Sequence, residues 1–188
     1  MLEPYTLQTE RNLNRVQSMN KDCGKALLTQ QRLRELLSYD PETGDFRWLV
    51  SRGKVRVGGV AGTPNAKGHL QIRIDGVKYY AHRLAWLWAY GVWPLDQIDH
   101  VNAVKDDNRL SNLRAASHAE NARNRGAQKN NSSGLKCVYQ RKDAGKWQAS
   151  IRLDGKLKHL GTFTSAESAS AAYAAAAHKY HGDFARTS

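Results

Sequence analysis

Residues 98–121, IDHVNAVKDDNRLSNLRAASHAEN, constrain the fold of this chain more than any other stretch. An acid and an imidazole, Asp99 and His100, stand side by side after Ile98. A loop, a short strand and a helix are predicted to follow, with Asn112 ahead of the strand and Asn121 about one turn into the helix. The pattern therefore predicts a strand–loop–strand–helix unit that has a polar side chain at a defined place in each part.

These residue types suit metal-dependent phosphodiester cleavage. That chemistry needs an oxygen ligand for a hard cation, a base that deprotonates water, and a second oxygen ligand on a nearby element. Adjacent residues of an ideal strand point to opposite faces, so Asp99 and His100 reach one phosphate only where the backbone is irregular. Asn112 is well placed to satisfy the amide and carbonyl groups that such a backbone frees. The alternative is a polar loop with a solvated histidine, which an Asp-His pair alone would favour.

The motif order resembles that of the small phage homing endonucleases of the HNH group, which have the ββα-metal fold. The resemblance implies that His100 is the general base and that Asp99 and Asn121 bind the metal, while Asn112 ties the loop together. The last position is histidine in many HNH enzymes and asparagine in this branch. The implied cofactor is Mg²⁺, and we expect Mn²⁺ to substitute for it. The matching residues are His82-Arg83-Leu84, Asp99-His100, Asn108-Arg109-Leu110, Asn112-Leu113-Arg114 and Asn121.

The positive charge of the chain is concentrated after this motif. Residues 122–161 contain ten Lys or Arg and two Asp or Glu, so they carry +8 of the net charge of +12. A charge run is usually a solvated face. One this unbalanced, attached to a candidate nuclease, favours contact with a phosphate backbone.

Cysteine usage and hydropathy bound the class of protein. Cys23 and Cys137 lie far apart and form neither a disulfide framework nor a cysteine-rich zinc site. No apolar run reaches membrane-spanning length, and the N-terminus lacks a signal-peptide core. We expect a cytoplasmic protein, in the host cytoplasm if it is phage-encoded.

Helices and a hairpin are predicted ahead of the motif. An Asp75-Gly76 pair supplies the positive φ values that a tight turn needs, so residues 69–74 and 77–80 should form a hairpin. For His82 the sequence leaves two roles open, a structural role and a place near the active site. Trp86, Trp88 and Trp93 favour core packing over a base-stacking platform. The predicted helices are residues 29–39 and 82–90, and a further strand is expected at residues 45–50.

A second small domain is predicted after a break at residues 130–134. Three strands, at residues 135–141, 146–153 and 158–163, should be followed by a helix at residues 165–180. Thr164 and Glu167 have capping-box spacing for that helix. Strand alternation predicts one polar and one apolar face. The polar set is Lys146, Gln148, Ser150 and Arg152, and the apolar set is Trp147, Ala149 and Ile151.

This module resembles the Apetala-type, or ethylene-response-factor, DNA-binding domain through the text GKWQASIRLDGK and HLGTFTSAESASAAYAAAAHKYHG. In that family the sheet enters the major groove of DNA. Tyr139, Ser150 and His159 depart from the usual residues, so the base preference of the plant proteins should not be transferred. Trp147 has an equal alternative as sheet packing. By position, the implied DNA contacts are Arg141, Lys146, Trp147 and Arg152, with Tyr139 and Lys158 weaker. Arg114 is a candidate phosphate contact in the nuclease motif, with a solvent-exposed or structural role as an equal alternative.

The sequence thus predicts an α+β protein, in which a ββα-metal HNH nuclease domain precedes a small three-stranded antiparallel sheet packed on one helix. The predicted function is metal-dependent, sequence-guided cleavage of double-stranded DNA by a homing endonuclease, acting as a monomer or weak dimer. The alternatives are a non-catalytic DNA-binding protein with a decayed nuclease domain and an RNA-directed protein. A sheet that reads a groove argues against RNA, because the A-form major groove is too narrow. The predicted divisions are a poorly structured segment at residues 1–28, the nuclease domain at 29–125 with its core at 96–125, a basic flexible linker at 126–134, and the DNA-binding domain at 135–188.

Overall fold

The computed structural model describes residues 28–127, 131, 133–141 and 145–187. These residues belong to two compact units, a first unit at residues 1–115 and a second unit at residues 116–188. All but the last residue of the predicted N-terminal segment 1–28 lies outside the described residues. The units divide ahead of the predicted linker, and the domain bounds of the sequence analysis stay a prediction. Within the described residues, no helix combines the length and apolar character needed to cross a membrane.

In its described residues, 28–115, the first unit has three small sheets and two helices. The elements are α1 (Gln30–Leu36), β1 (Leu37–Tyr39), β2 (Phe46–Trp48), β3 (Val60–Ala61), β4 (Thr63–Pro64), β5 (Leu70–Ile74), β6 (Val77–Tyr80), α2 (Ala81–Tyr90), β7 (Gln97–His100), a 3-10 turn (Leu110–Asn112) and β8 (Leu113–Ala116). The strands are arranged in the orders β1-β2-β3, β4-β5-β6 and β7-β8. Helix α1 leads into β1, and β6 leads into α2.

The first predicted helix is shorter than expected because its last three residues form a strand. Thr29 caps α1, since its side chain accepts a hydrogen bond from the Arg32 N–H at 3.1 Å. Leu37 and Tyr39 then pair with Trp48 and Phe46 in an antiparallel ladder. All four side chains are buried. Burial of every second residue in a strand is therefore favoured there over another turn of helix.

The predicted hairpin at Asp75-Gly76 is confirmed. Asp75 has φ 47° and Gly76 has φ 83°, as a two-residue hairpin turn requires. Strand β6 runs directly into α2, which ends where Gly91 adopts the left-handed conformation at φ 75°. Gly91 donates its N–H to the Leu87 carbonyl at 2.9 Å.

The core of the first unit contains the tryptophans that might have served as a stacking platform. Trp86 is buried, and Trp88 and Trp93 are partly buried against the same cluster. Their core role is confirmed. The largest fully buried apolar side chains of this core are Leu33, Leu37, Phe46, Ile72, Ile74, Leu84 and Leu87.

The second unit is the predicted three-stranded antiparallel sheet packed on one helix. Its sheet has the order β11 (Lys156–Phe163), β10 (Trp147–Leu153) and β9 (Val138–Gln140), and helix α4 (Ala166–His181) packs against it. Its core contains Val138, Ile151 and Tyr173 with several small residues of α4. Small side chains let the helix lie close to the sheet. The elements are α3 (His118–Arg123), β9 (Val138–Gln140), β10 (Trp147–Leu153), β11 (Lys156–Phe163), α4 (Ala166–His181) and a 3-10 turn (Gly182–Phe184).

Two details of this unit correct the sequence analysis. The pairing of β10 with β11 shifts in register between Ala149 and Ser150, and Leu160 of β11 is the extra residue of this bulge. In β10 three successive residues, Ala149 to Ile151, are buried, so the strict alternation on which the prediction depended does not hold. Ser150 is only 2% exposed and therefore does not belong to a polar outer face. The cap of α4 is Ser165 rather than Thr164, because the Ser165 hydroxyl accepts from the Ser168 N–H at 3.2 Å.

Candidate active site

The end of β7 carries the acid and the imidazole into the interior of the first unit. Ile98, Asp99 and His100 are all buried, at 6%, 5% and 5% exposure. Adjacent side chains of a strand point to opposite faces, so both faces of β7 are covered at this end. This excludes the alternative of a solvated histidine in a polar loop.

Asn112 holds both sides of the loop that follows. Its Oδ1 accepts from the Asn102 N–H at 3.0 Å, and its Nδ2 donates to the Asp107 carbonyl at 2.8 Å. Its own carbonyl accepts from the Val101 N–H at 2.9 Å. The side chain of Asn112 thus satisfies backbone groups of the loop after His100. The irregular backbone predicted between Asp99 and His100 is not found there, because β7 continues as a strand through His100. A catalytic role for Asn112 stays a prediction.

A buried ion pair orients the acid. Arg114 donates to Oδ2 of Asp99 through Nε at 2.9 Å and through Nη2 at 2.7 Å. The two side chains are 18% and 6% exposed, so the pair is largely shielded from water. The guanidinium offsets the cost of burying the carboxylate and fixes its direction. Arg114, a candidate phosphate contact by sequence, is thereby held at the acid.

Burial keeps His100 in its neutral form. Desolvation lowers the pKa of this imidazole, against the opposing effects of a hydrogen bond to the Asn108 side chain and of the nearby carboxylates of Asp99 and Asp107. Its Nε2 lies 3.5 Å from Oδ1 of Asn108, which is itself completely buried. A neutral imidazole can accept a proton, so His100 has the protonation state that a general base requires at neutral pH.

Two further histidines surround the ring of His100. The centroid of His82 lies 5.1 Å from that of His100 with the rings nearly perpendicular, and the centroid of His69 lies at 5.9 Å. Burial lowers the pKa of His82 to about 3 and also lowers the pKa of His69. The Nδ1 atoms of both are buried without a hydrogen-bond partner. The role that the sequence left open for His82 therefore includes a place beside His100.

Sequence reasoning missed His69 and Asn108 as parts of this site. His69 directly precedes β5, whose partner strand β6 leads to His82, and that pairing is a weak signal in the sequence. Asn108 was noted only as part of the motif match. Its contact with His100 depends on the path of the loop, which spacing does not specify.

Asn121 lies in α3, which belongs to the second unit. Ser117 and Glu120 form a capping box at the start of this helix, with Ser117 Oγ accepting from the Glu120 N–H at 3.2 Å. The Asn121 N–H donates to the Ser117 carbonyl at 3.0 Å. The capping box places Asn121 in the first turn of α3, and its metal-binding role stays a prediction.

The predicted DNA contacts of the second unit differ in their exposure to solvent. Trp147 is half-buried and packs against the core, in line with the packing alternative that the sequence left open. Arg152 donates to the Gly155 carbonyl at 3.0 Å, and Lys158 lies 3.3 Å from the Tyr180 hydroxyl. The exposed members of the predicted set are Tyr139, Arg141, Lys146, Arg152 and Lys158.

The donor chemistry of the site fits a hard cation bound in part by substrate. Asp99 supplies a buried carboxylate. Across the described residues, no group of three or more His, Cys, Asp or Glu side chains could hold a metal ion. Mg²⁺ commonly binds through one or two protein oxygens, with water and substrate phosphate completing its shell. The single carboxylate of Asp99 is compatible with that mode of binding.

Comparison with known proteins finds a family match for the segment that contains Asp99 and His100. No curated protein and no solved structure matches the chain. Residues 79–123, which are 45 of the 188 residues, match the family model described as HNH endonuclease. The matched segment contains α2, β7, β8 and α3, and with them Asp99, His100 and Asn112. Residues 79–123 are therefore an HNH endonuclease domain.

Proposed function

We propose that this protein is a metal-dependent, sequence-guided DNA endonuclease of the homing type, with His100 as its general base. The observation that carries the proposal is the buried, neutral His100 directly after the buried Asp99, within a segment that matches the HNH endonucleases. Phosphodiester hydrolysis is the activity for which such a pair is suited.

In this proposal His100 takes a proton from the attacking water. Its burial favours the neutral ring before the reaction, and the carboxylates of Asp99 and Asp107 stabilise the charged ring that forms. Arg114 keeps Asp99 in a fixed direction through its two bonds to Oδ2. Asp99 and Asn121 would hold Mg²⁺, which when bound stabilises the charge developing on the phosphate and the leaving oxygen.

The second unit would guide this activity to particular DNA sites. Its exposed Arg141, Lys146 and Arg152 provide positive charge for the phosphate backbone and donors for base edges. Binding through this unit raises the effective concentration of DNA at the nuclease, as a linked binding site does. Trp147 is left out of the proposed contacts because it packs on the core.

A non-catalytic DNA-binding protein is the second candidate function. The Asp99–Arg114 ion pair favours it, because a carboxylate that already binds a guanidinium must share that oxygen or reorient to bind a cation. The two candidates differ in whether added metal produces cleavage.

The test incubates the protein with phage or bacterial DNA, with EDTA or with Mg²⁺ or Mn²⁺ added in excess. The proposal expects cleavage only with metal, ends carrying 5′-phosphate and 3′-hydroxyl, and no cleavage by His100→Ala. His178→Ala is the matched control, since His178 is exposed on α4. Binding without cleavage under every metal condition would favour the second candidate. Equal cleavage by His100→Ala would refute the assignment of the base.

A further inference from the structure

We infer that Asn108 is a positioning residue that sets which ring nitrogen of His100 carries the proton, and that Tyr39 and Gly44 hold it in place. The inference rests on the proposed function, in which His100 is the base. Tyr39 and Gly44 lie outside the matched segment at residues 79–123. Part of the catalytic geometry would then be supplied by the β1–β2 turn rather than by the HNH segment itself.

The orientation of the Asn108 amide decides the tautomer of His100. Nδ2 of Asn108 donates to the Asp106 carbonyl at 2.9 Å, which directs Oδ1 to His100 Nε2. An amide oxygen only accepts hydrogen bonds, so Nε2 must carry the hydrogen. In a neutral imidazole the other nitrogen, Nδ1, then has the lone pair that can take a proton from water. The separation of 3.5 Å is long, as catalytic hydrogen bonds often are before substrate binds.

The backbone of Asn108 is anchored by a buried hydroxyl. Tyr39 donates its OH to the Asn108 carbonyl at 2.7 Å across 69 residues of chain. Asn108 is 0% exposed, so bulk solvent does not reach this acceptor. A second bond joins the same segments, from the Leu110 N–H to the Pro41 carbonyl at 3.2 Å.

Gly44 allows the two segments to approach this closely. A Cβ at Gly44 would lie 2.5 Å from the Arg109 nitrogen and 2.6 Å from the Asn108 carbonyl carbon. Both neighbours are backbone atoms, so no side-chain rotation could relieve the clash. Gly44 also has φ +80°, which disfavours any L side chain. The turn therefore fits against Asn108 only with glycine at this position.

The ring of His100 is confined on another side by His82. The two rings are nearly perpendicular at 83° and 5.1 Å between centroids. His82 belongs to the first turn of α2, a regular helix, so the contact limits rotation of the His100 ring. With the ring confined, loss of the Asn108 oxygen changes the tautomer more readily than the ring position.

The test combines a spectroscopic and a kinetic measurement on the full chain. Long-range ¹H–¹⁵N spectra at pH 8 report whether the His100 proton is on Nε2 or Nδ1. We expect the Nε2–H form in the unsubstituted protein and a mixture of tautomers in Asn108→Ala. The maximal cleavage rate should fall about 10–100-fold in this variant, as for other residues that orient a site ligand, with little change in KM.

Tyr39→Phe tests the anchor where Asn108→Ala fails to fold. It keeps the ring that packs on Phe46 at 4.7 Å and removes only the hydroxyl. We expect a smaller shift of the same tautomer signal and a smaller rate loss than in Asn108→Ala. Tyr90→Phe is the matched control, since Tyr90 is 52% exposed on α2 of the same unit, and it should change neither readout.

The inference is overturned if folded Asn108→Ala, or Tyr39→Phe when the first does not fold, retains the Nε2–H signal of His100. A rate loss with an unchanged tautomer would also overturn it, because a purely structural effect gives that result. Failure of the proposed function is distinguishable. A protein that cleaves no DNA still gives the tautomer spectrum, and that spectrum decides the role of Asn108.

Discussion

Replacing His82 with phenylalanine should make the stability of the first unit less dependent on pH. His82 is 8% exposed, and burial lowers its pKa from about 6.5 to about 3, with smaller effects from His100, His69 and Arg83. Between these two values the unfolded chain binds a proton at this site and the folded chain does not. The free energy of unfolding is therefore highest, as far as His82 is concerned, above about pH 6.5, and it decreases as the pH falls towards 3.

The magnitude follows from the two pKa values. At about 1.4 kcal/mol for each pKa unit, the full loss at low pH is on the order of 5 kcal/mol. Between pH 7 and pH 5 the same relation gives a loss of about 2 kcal/mol from His82 alone. His69 and His100 add losses of their own, but they are present in both proteins and largely cancel in the comparison. Phenylalanine also removes the buried Nδ1 that has no partner.

Urea unfolding at pH 7 and at pH 5, followed by tryptophan fluorescence, measures this difference. Four of the five tryptophans, at positions 48, 86, 88 and 93, lie in the first unit, so the signal reports mainly on that unit. The unsubstituted protein should lose about 2 kcal/mol more than His82→Phe between the two pH values. His178→Phe, at an exposed histidine, should behave like the unsubstituted protein. Equal pH dependence of His82→Phe and the unsubstituted protein would refute the account of a buried neutral histidine.

Three further perturbations have defined outcomes. Arg114→Ala should lower the free energy of unfolding of the first unit by about 3 kcal/mol, because the buried Asp99 carboxylate loses its guanidinium; urea unfolding measures this, and a loss below 1 kcal/mol would contradict it. Gly44→Ala should cost about 2 kcal/mol or more in the same assay, whereas Gly53→Ala, with nothing within 4 Å, should cost less. Lys146→Ala with Arg152→Ala should reduce the salt dependence of DNA binding by about two phosphate contacts, and an unchanged slope in a salt titration would exclude them from the interface.

Local signals in the sequence were sufficient wherever one short segment determines its own geometry. The Asp75-Gly76 turn and the end of α2 at Gly91 depend on φ values that few residue types adopt. The residue types at these positions are therefore enough to predict them. The fold of the second unit is predicted by the local patterns of its three strands and its alanine-rich helix. The resemblance of the Asp99-His100 motif identified the part of the chain that matches the HNH endonucleases.

Features that depend on distant segments were not predictable from the sequence. The bulge at Leu160 of β11 arises from how this strand pairs with β10, and the sequence pattern of a strand gives no sign of the extra residue. The shortening of α1 depends on the pairing of β1 with β2. In that pairing the side chains of Leu37 and Tyr39 are both buried. The contacts of His100 with His69 and Asn108 likewise depend on segments that meet only in the folded chain.

The single-turnover rate of DNA cleavage with excess protein and Mg²⁺ tests the central claim most directly. With His100 as the base, His100→Ala should cleave the same DNA about 10²–10⁴ times more slowly than the unsubstituted protein while binding it equally well. Cleavage by His100→Ala at the unsubstituted rate, with both proteins purified alike and His178→Ala as control, would contradict the claim.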